Sequence, residues 1–177
     1  MGFFLLFDWT WLLLIPGIIL SIWAQAYVSK TYSKYQKVRA VSGVSGSRFA
    51  EVMLRQNGVS GVSVMSVRGN LTDHYNPKTG QVALSEGVFG AATVSAIAIA
   101  AHECGHVLQH TKGYAPMKIR TALVPVVNIV SSMCFPLLFI GIIFAYTPFV
   151  AVAAWAYLGI CIFQLVTLPV EFNASKR

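Results

Sequence analysis

The sequence predicts a membrane α-helical chain with three transmembrane helices and one small α+β unit on the cytoplasmic side. Three observations carry this. Of the 177 residues, 11% are charged and 56% hydrophobic, with a mean hydropathy of +0.65, whereas an ordinary soluble domain is roughly 25% charged. Residues 9–29 and 121–170 contain no Asp, Glu, Lys, Arg or His. All 13 Lys and Arg residues fall within 30–120 or at Lys176 and Arg177. Such a chain is not disordered, collagen-like or disulfide-stapled.

A membrane-crossing helix needs ~20 mainly apolar residues. Trp9 to Tyr27 supplies one, making 1–27 an N-terminal anchor. The block 121–170 is long enough for two, broken at Tyr146-Thr147-Pro148, where an interfacial aromatic, a turn former and a helix breaker meet. The expected spans are therefore 6–27, 121–146 and 149–170. Three crossings leave 28–120 and 171–177 on one side, and the distribution of Lys and Arg makes that side cytoplasmic. Ala24-Gln25-Ala26 fits a signal-peptide cleavage pattern. However, Asp8 precedes the apolar stretch and the basic residues follow it, so a retained anchor is expected, with Asp8 at the outer interface.

The formal charge of +7 resides in segment 28–120. Lys30, Lys34 and Lys37 form a basic stripe on a helix leaving the first span. Anionic headgroups are its natural partner, at ~1 kcal/mol per charge near the surface, and no nucleic-acid-binding motif accompanies it. Three cysteines, Cys104, Cys134 and Cys161, two of them in expected spans, imply no disulfide framework.

Within the polar segment, Ser45 can cap a helix over 46–56, with Phe49, Val52 and Met53 on one face and a Glu51–Arg55 pair. Asn57-Gly58 ends it. Val62–Val67 and Leu71–Tyr75 read as strands, and the turn Asn76-Pro77-Lys78-Thr79-Gly80 returns the chain as strand Gln81–Leu84 in a β-hairpin. A helix follows over Thr93–Gln109. Its first half, Val94 to Ala101, holds one polar residue, Ser95, which predicts burial on all sides.

That helix ends in His102-Glu103-Cys104-Gly105-His106, an H-E-x-x-H motif. Residues i and i+4 share a helix face, so both imidazoles can grip one Zn2+ ion. Glu103 lies beside that face as the candidate general base. Cys104 points to the far side, where packing is its expected role. Ionisable groups on an otherwise apolar helix are costly unless paired or metal-bound, which favours a metal site over a chance match. Two histidines leave a catalytic zinc short of a third protein ligand. The remaining acids are Asp8, Glu51, Asp73, Glu86 and Glu171. Glu171 alone follows the motif, and the two expected crossings between them return it to the same membrane face. An ordinary interfacial carboxylate is the alternative reading of Glu171.

Three runs carry a family resemblance: Asn70-Leu71-Thr72-Asp73-His74-Tyr75, Ala101-His102-Glu103-Cys104-Gly105-His106, and Leu168-Pro169-Val170-Glu171-Phe172-Asn173-Ala174-Ser175. With Gly113-Tyr114-Ala115-Pro116 and Leu123-Val124-Pro125, they resemble the bacterial membrane-bound neutral zinc metallopeptidases of the YugP-like type across nearly the whole chain. The resemblance implies a bacterial inner-membrane protein with a gluzincin-type site, in which His102, His106 and Glu171 bind zinc and Glu103 is catalytic. Asn173 stands where that pattern usually has Asp. Ser175 stands where more distant membrane proteases carry Asp, four positions after their Glu ligand. Both departures bear on how the ligands are oriented. Residues 171–177 are the expected third-ligand segment, and with six residues beyond Glu171 a frayed final helix is expected.

The expected activity is zinc-dependent endopeptidase cleavage of polypeptides, membrane-adjacent ones being the natural substrates. His74, Tyr75, His110 and Tyr114 are candidate oxyanion donors, and strand Gln81–Leu84 is a candidate for pairing with extended substrate. Two other readings compete: an intramembrane protease with the motif helix inside the bilayer, and a zinc-binding membrane scaffold without catalysis. The intact Glu103 speaks against the scaffold.

Overall fold

The structure, a computed structural model, describes residues 12 and 14–177. Asp8 and the first part of the expected anchor lie outside the described residues. Helix α1 spans Leu14–Gln36. It carries Lys30 and Lys34, with Lys37 in the turn just beyond. Helix α2 (Gly46–Gln56) begins where expected, Ser45 Oγ accepting a hydrogen bond from the Arg48 N–H at 3.3 Å. It ends at Asn57, followed by Gly58 at φ +70. Its buried face is Gly46, Ala50 and Leu54, with Phe49 and Met53 beside it, while Val52 is exposed. Glu51 pairs with Arg48 at 3.1 Å and not with the expected Arg55.

Strands β1 (Ser63–Val67), β2 (His74–Asn76) and β3 (Gln81–Ser85) form a sheet in the order β1-β3-β2. β2 and β3 make the expected antiparallel hairpin, and β1 runs parallel to β3. β3 is thus the central strand, with neighbours on both sides. The expectation that it pairs with substrate fails for that reason: its backbone groups are already committed. The edge strand beside the cleft is β2.

A short helix α3 (Glu86–Phe89) leads into α4 (Val94–Thr111), capped by Thr93 Oγ1 accepting from the Ala96 N–H at 3.3 Å. α4 is the central helix, packed on α1, α2, α3, the sheet and α6. Val82 and Leu84 of β3, Ala50 and Leu54 of α2, Val88, and Ala96, Ala100, Cys104 and Val107 of α4 form the core. The polar half of α4 is the better buried. Glu103 through Gln109 are all buried, whereas Val94 and Ala98 are exposed, so the first half is not covered all round. The reason is tertiary. α6 lies against the motif half, while the alanine-rich half borders an apolar groove beside α1. Cys104 packs under α2, its Sγ 3.8 Å from the Ala50 carbonyl, and burial pushes its thiol up to about 12.

Helices α5 (Ala115–Ile143) and α6 (Thr147–Lys176) form an antiparallel pair joined at Phe144–Tyr146, with Ala145 at φ +49. Gly141 opposes Phe149 and Val150 so closely that a Cβ would lie 2.9 Å from the Val150 side chain. Both helices are long and apolar enough to cross a membrane, with mean hydropathies of 2.3 and 2.1. Only 11% and 6% of their apolar windows are buried, unlike the core helix of a soluble protein. Among the described residues there are two such helices, not the three expected. The other candidate is α1, whose expected apolar stretch begins outside the described residues. α6 is also continuous through Glu171 to Lys176, so the expected third-ligand segment forms its last turns.

Candidate metal centre

Two helices build the site. α4 is apolar except where its last turns face α6, and there it presents His102 and His106 from one face, as the i, i+4 spacing requires. Their rings meet edge to face, with centroids 4.7 Å apart. Glu171 arrives from α6, with Oε2 at 3.2 Å from His102 Nε2 and 3.3 Å from His106 Nε2. One ligand atom from each residue lies within 4.8 Å of the others, a set that could hold a metal ion. Among the described residues no other acid joins this set. Glu51 is on the surface. Asp73 is occupied in joining β2 to the end of β3, accepting from the Ser85 N–H at 2.7 Å and from its hydroxyl at 3.1 and 3.0 Å.

The far ring nitrogens are held as a metal site requires. Gln109, fully buried, donates through Nε2 to the Val170 carbonyl at 2.7 Å and to Asn173 Oδ1 at 3.0 Å. Its Oε1 is therefore the acceptor facing His106 Nδ1 at 3.1 Å, which puts the His106 proton on Nδ1 and leaves the Nε2 lone pair free. His102 Nδ1 shares a hydrogen bond with Ser175 Oγ at 2.9 Å. Asn173 and Ser175, the two departures from the family pattern, thus occupy the shell that orients the histidines. Arg177 Nε also donates to Asn173 Oδ1, at 2.7 Å.

The approach of α6 depends on Gly105. A Cβ there would lie 2.5 Å from the Ala174 carbonyl oxygen and 3.0 Å from its carbon. The x position before His106 therefore has no room for a side chain.

Glu103 is buried, 7% exposed, and burial raises its carboxyl pKa, opposed by the nearby His106 and His102. A basic carboxylate beside the two imidazoles suits proton transfer. The His102 pKa is raised, chiefly by its hydrogen bond to Glu171.

These groups line a cleft of about 760 Å³. One wall is β2 and its turn, from Asp73 to Lys78; the other is the face of α5 from Met117 to Ile129. Of the four candidate oxyanion donors, His74 and Tyr75 line the cleft. His110 lies behind Tyr75, its Nδ1 3.2 Å from the phenol oxygen, and Tyr114 stacks under the Arg177 guanidinium. Sequence reasoning missed Arg120, whose Nη1 lies 3.1 Å from Glu171 Oε1 in the same cleft, and Gln109. The spacing of Gln109, three residues past His106 on the same helix face, was a usable signal. Nothing in the sequence singled out Arg120.

The comparisons with known proteins agree with this geometry. The family described as "Putative neutral zinc metallopeptidase" matches residues 10–177. The "Putative membrane protease YugP" of Bacillus subtilis (strain 168) is 43% identical over 166 residues, covering 93% of this chain and 73% of its own length. No solved structure matches significantly. With two imidazoles, a carboxylate and a buried glutamate assembled at the contact of α4 and α6, the chain belongs to this neutral zinc metallopeptidase family.

Proposed function

We propose that the protein is a zinc-dependent endopeptidase that hydrolyses peptide bonds at the cytoplasmic surface of a bacterial plasma membrane. The observation that carries this is the convergence of His102, His106 and Glu171, with ligand atoms within 4.8 Å of one another, beside the buried Glu103. The donor set suits zinc: two imidazoles with their far nitrogens satisfied, one carboxylate, and an open cleft in front. Bound there, zinc would supply Lewis-acid polarisation of a carbonyl and acidify water.

The protein's own residues do the rest. Glu103 takes a proton from the attacking water and delivers it to the leaving amine, and its raised pKa eases the first transfer. Arg120 braces Glu171 from the side away from the histidines. β2 offers its free edge to an extended substrate, and Tyr75 is the candidate oxyanion donor within the cleft. α5 and α6 cross the membrane, while 28–120 lies in the cytoplasm with its lysines against anionic headgroups.

The test is cleavage of a fluorescently labelled unfolded protein in detergent by the parent and by Glu103→Gln at equal zinc content. Cleavage by the parent alone, lost on chelation, supports the protease. Equal cleavage by both variants, or none by the zinc-loaded parent, refutes it.

A further inference from the structure

The cleft does not stop at the metal centre. On the α5 side it continues past Arg120 along Thr121, Val124, Pro125, Asn128 and Ile129. At 1.5 Å per residue, Arg120 to Ile129 covers about 13 Å, nearly half the ~30 Å hydrocarbon thickness. α5 is one of the two helices apolar enough to cross a membrane, so one cavity joins the metal site to a groove along a candidate span.

Two features of this groove are out of place on a face that meets only lipid. The Asn128 side chain is exposed and makes no hydrogen bond to another described residue, although the hydroxyls of Thr121 and Ser132 both bond to carbonyls of their own helix. An amide at that depth is costly without a partner. Pro125 has no N–H to offer the Thr121 carbonyl one turn earlier, so that carbonyl lacks its usual helical donor. A free amide and an under-used carbonyl, set among Val124 and Ile129, suit the backbone of a partly unwound apolar segment.

We infer that the substrate is a membrane-anchored polypeptide whose apolar segment lies along this face of α5, with the scissile bond a few residues outside the hydrocarbon. This rests on the protease reading and narrows its substrate class. The groove is continuous with the metal site, and it offers a path to a substrate chain leaving the centre away from β2.

The test uses binding, so it does not depend on catalysis. The full-length Glu103→Gln protein, zinc-loaded in lipid nanodiscs, carries a photoreactive benzophenone residue at position 124 or 128. Positions 126 and 133, exposed at 56% and 60% and outside the cleft, serve as controls. The probe is a synthetic peptide with one 20-residue Leu/Ala helix and an eight-residue polar extension. Crosslinking from 124 and 128 should exceed that from 126 and 133 about tenfold, and excess free extension peptide should not compete. Equal yields at all four positions, or none, overturn the inference. A parent protein that still cleaves an unfolded soluble chain in that case remains a protease. Selective crosslinking without any cleavage keeps the groove and removes the protease reading.

Discussion

Gly105→Ala is the sharpest perturbation the structure offers, because two effects of opposite sign compete. In an isolated helix the change stabilises, by about 1 kcal/mol. Here the new Cβ would lie 2.5 Å from the Ala174 carbonyl oxygen, and the opposing atoms are backbone that no rotamer change can move aside. Reaching an ordinary contact of 3.4 Å requires α6 to retreat by about 0.9 Å at Ala174. Glu171 lies one turn away on the same helix face and moves with it. Its Oε2, now 3.2 and 3.3 Å from the two Nε2 atoms, would sit near 4 Å, well beyond the ~0.2 Å tolerance of a metal–ligand distance. Overpacking costs about 1–3 kcal/mol, so after the helix gain the metal-free protein should lose up to about 2 kcal/mol. Zinc affinity should fall about 10–100-fold, as for other disturbances of ligand orientation. The assay is zinc titration against a chromophoric chelator in detergent, with thermal unfolding of the metal-free protein alongside. Gly90→Ala, where a Cβ meets nothing within 4 Å, is the control and should change neither. If Gly105→Ala raises the unfolding temperature and keeps parental zinc affinity, the packing argument is wrong.

Two further outcomes follow from the shell around the ligands. Gln109→Met removes the partner of His106 Nδ1 and the side-chain donor to the Val170 carbonyl, so zinc should bind about 10–100-fold more weakly in the same titration. Ser175→Ala should act in the same direction but less, since His102 is partly exposed and water can replace the hydroxyl. The pH dependence of zinc binding reports the raised His102 pKa. Zinc must displace that proton, so affinity should begin to fall with acidification above pH 6.5, and a bend at or below 6.5 would contradict the assignment. Because the His102 pKa is raised on folding, its ion pair stabilises the metal-free protein fully below 6.5 and is lost as pH rises through the raised value.

Local patterns determined a good deal of this protein. The caps at Ser45 and Thr93, the turn after Asn76, the apolar runs of α5 and α6 and the i, i+4 histidines of α4 are short-range features, each set by residues within a turn or two. Glu171 was legible for another reason: no other acid follows the motif, and two long apolar runs, read as crossings, return the chain to the side it left. The β2–β3 hairpin was legible from the turn that joins it, but the pairing of β1 was not. Nothing within β1 or β3 states that they run parallel, so the central place of β3 and the free edge of β2 emerge only when α2 and α4 pack on the sheet. Nor was the burial of α4, whose polar end proved the better covered, because burial depends on what lies opposite. Gln109, Asn173 and Ser175 act across the contact between α4 and α6, and Arg120 across that between α5 and α6. The chain's own order decided which side chains could share a helix face. Only the approach of α6 to α4 at Gly105 decided which of them come together at the candidate centre, because hydrogen-bond and ligand distances across helices are tertiary quantities.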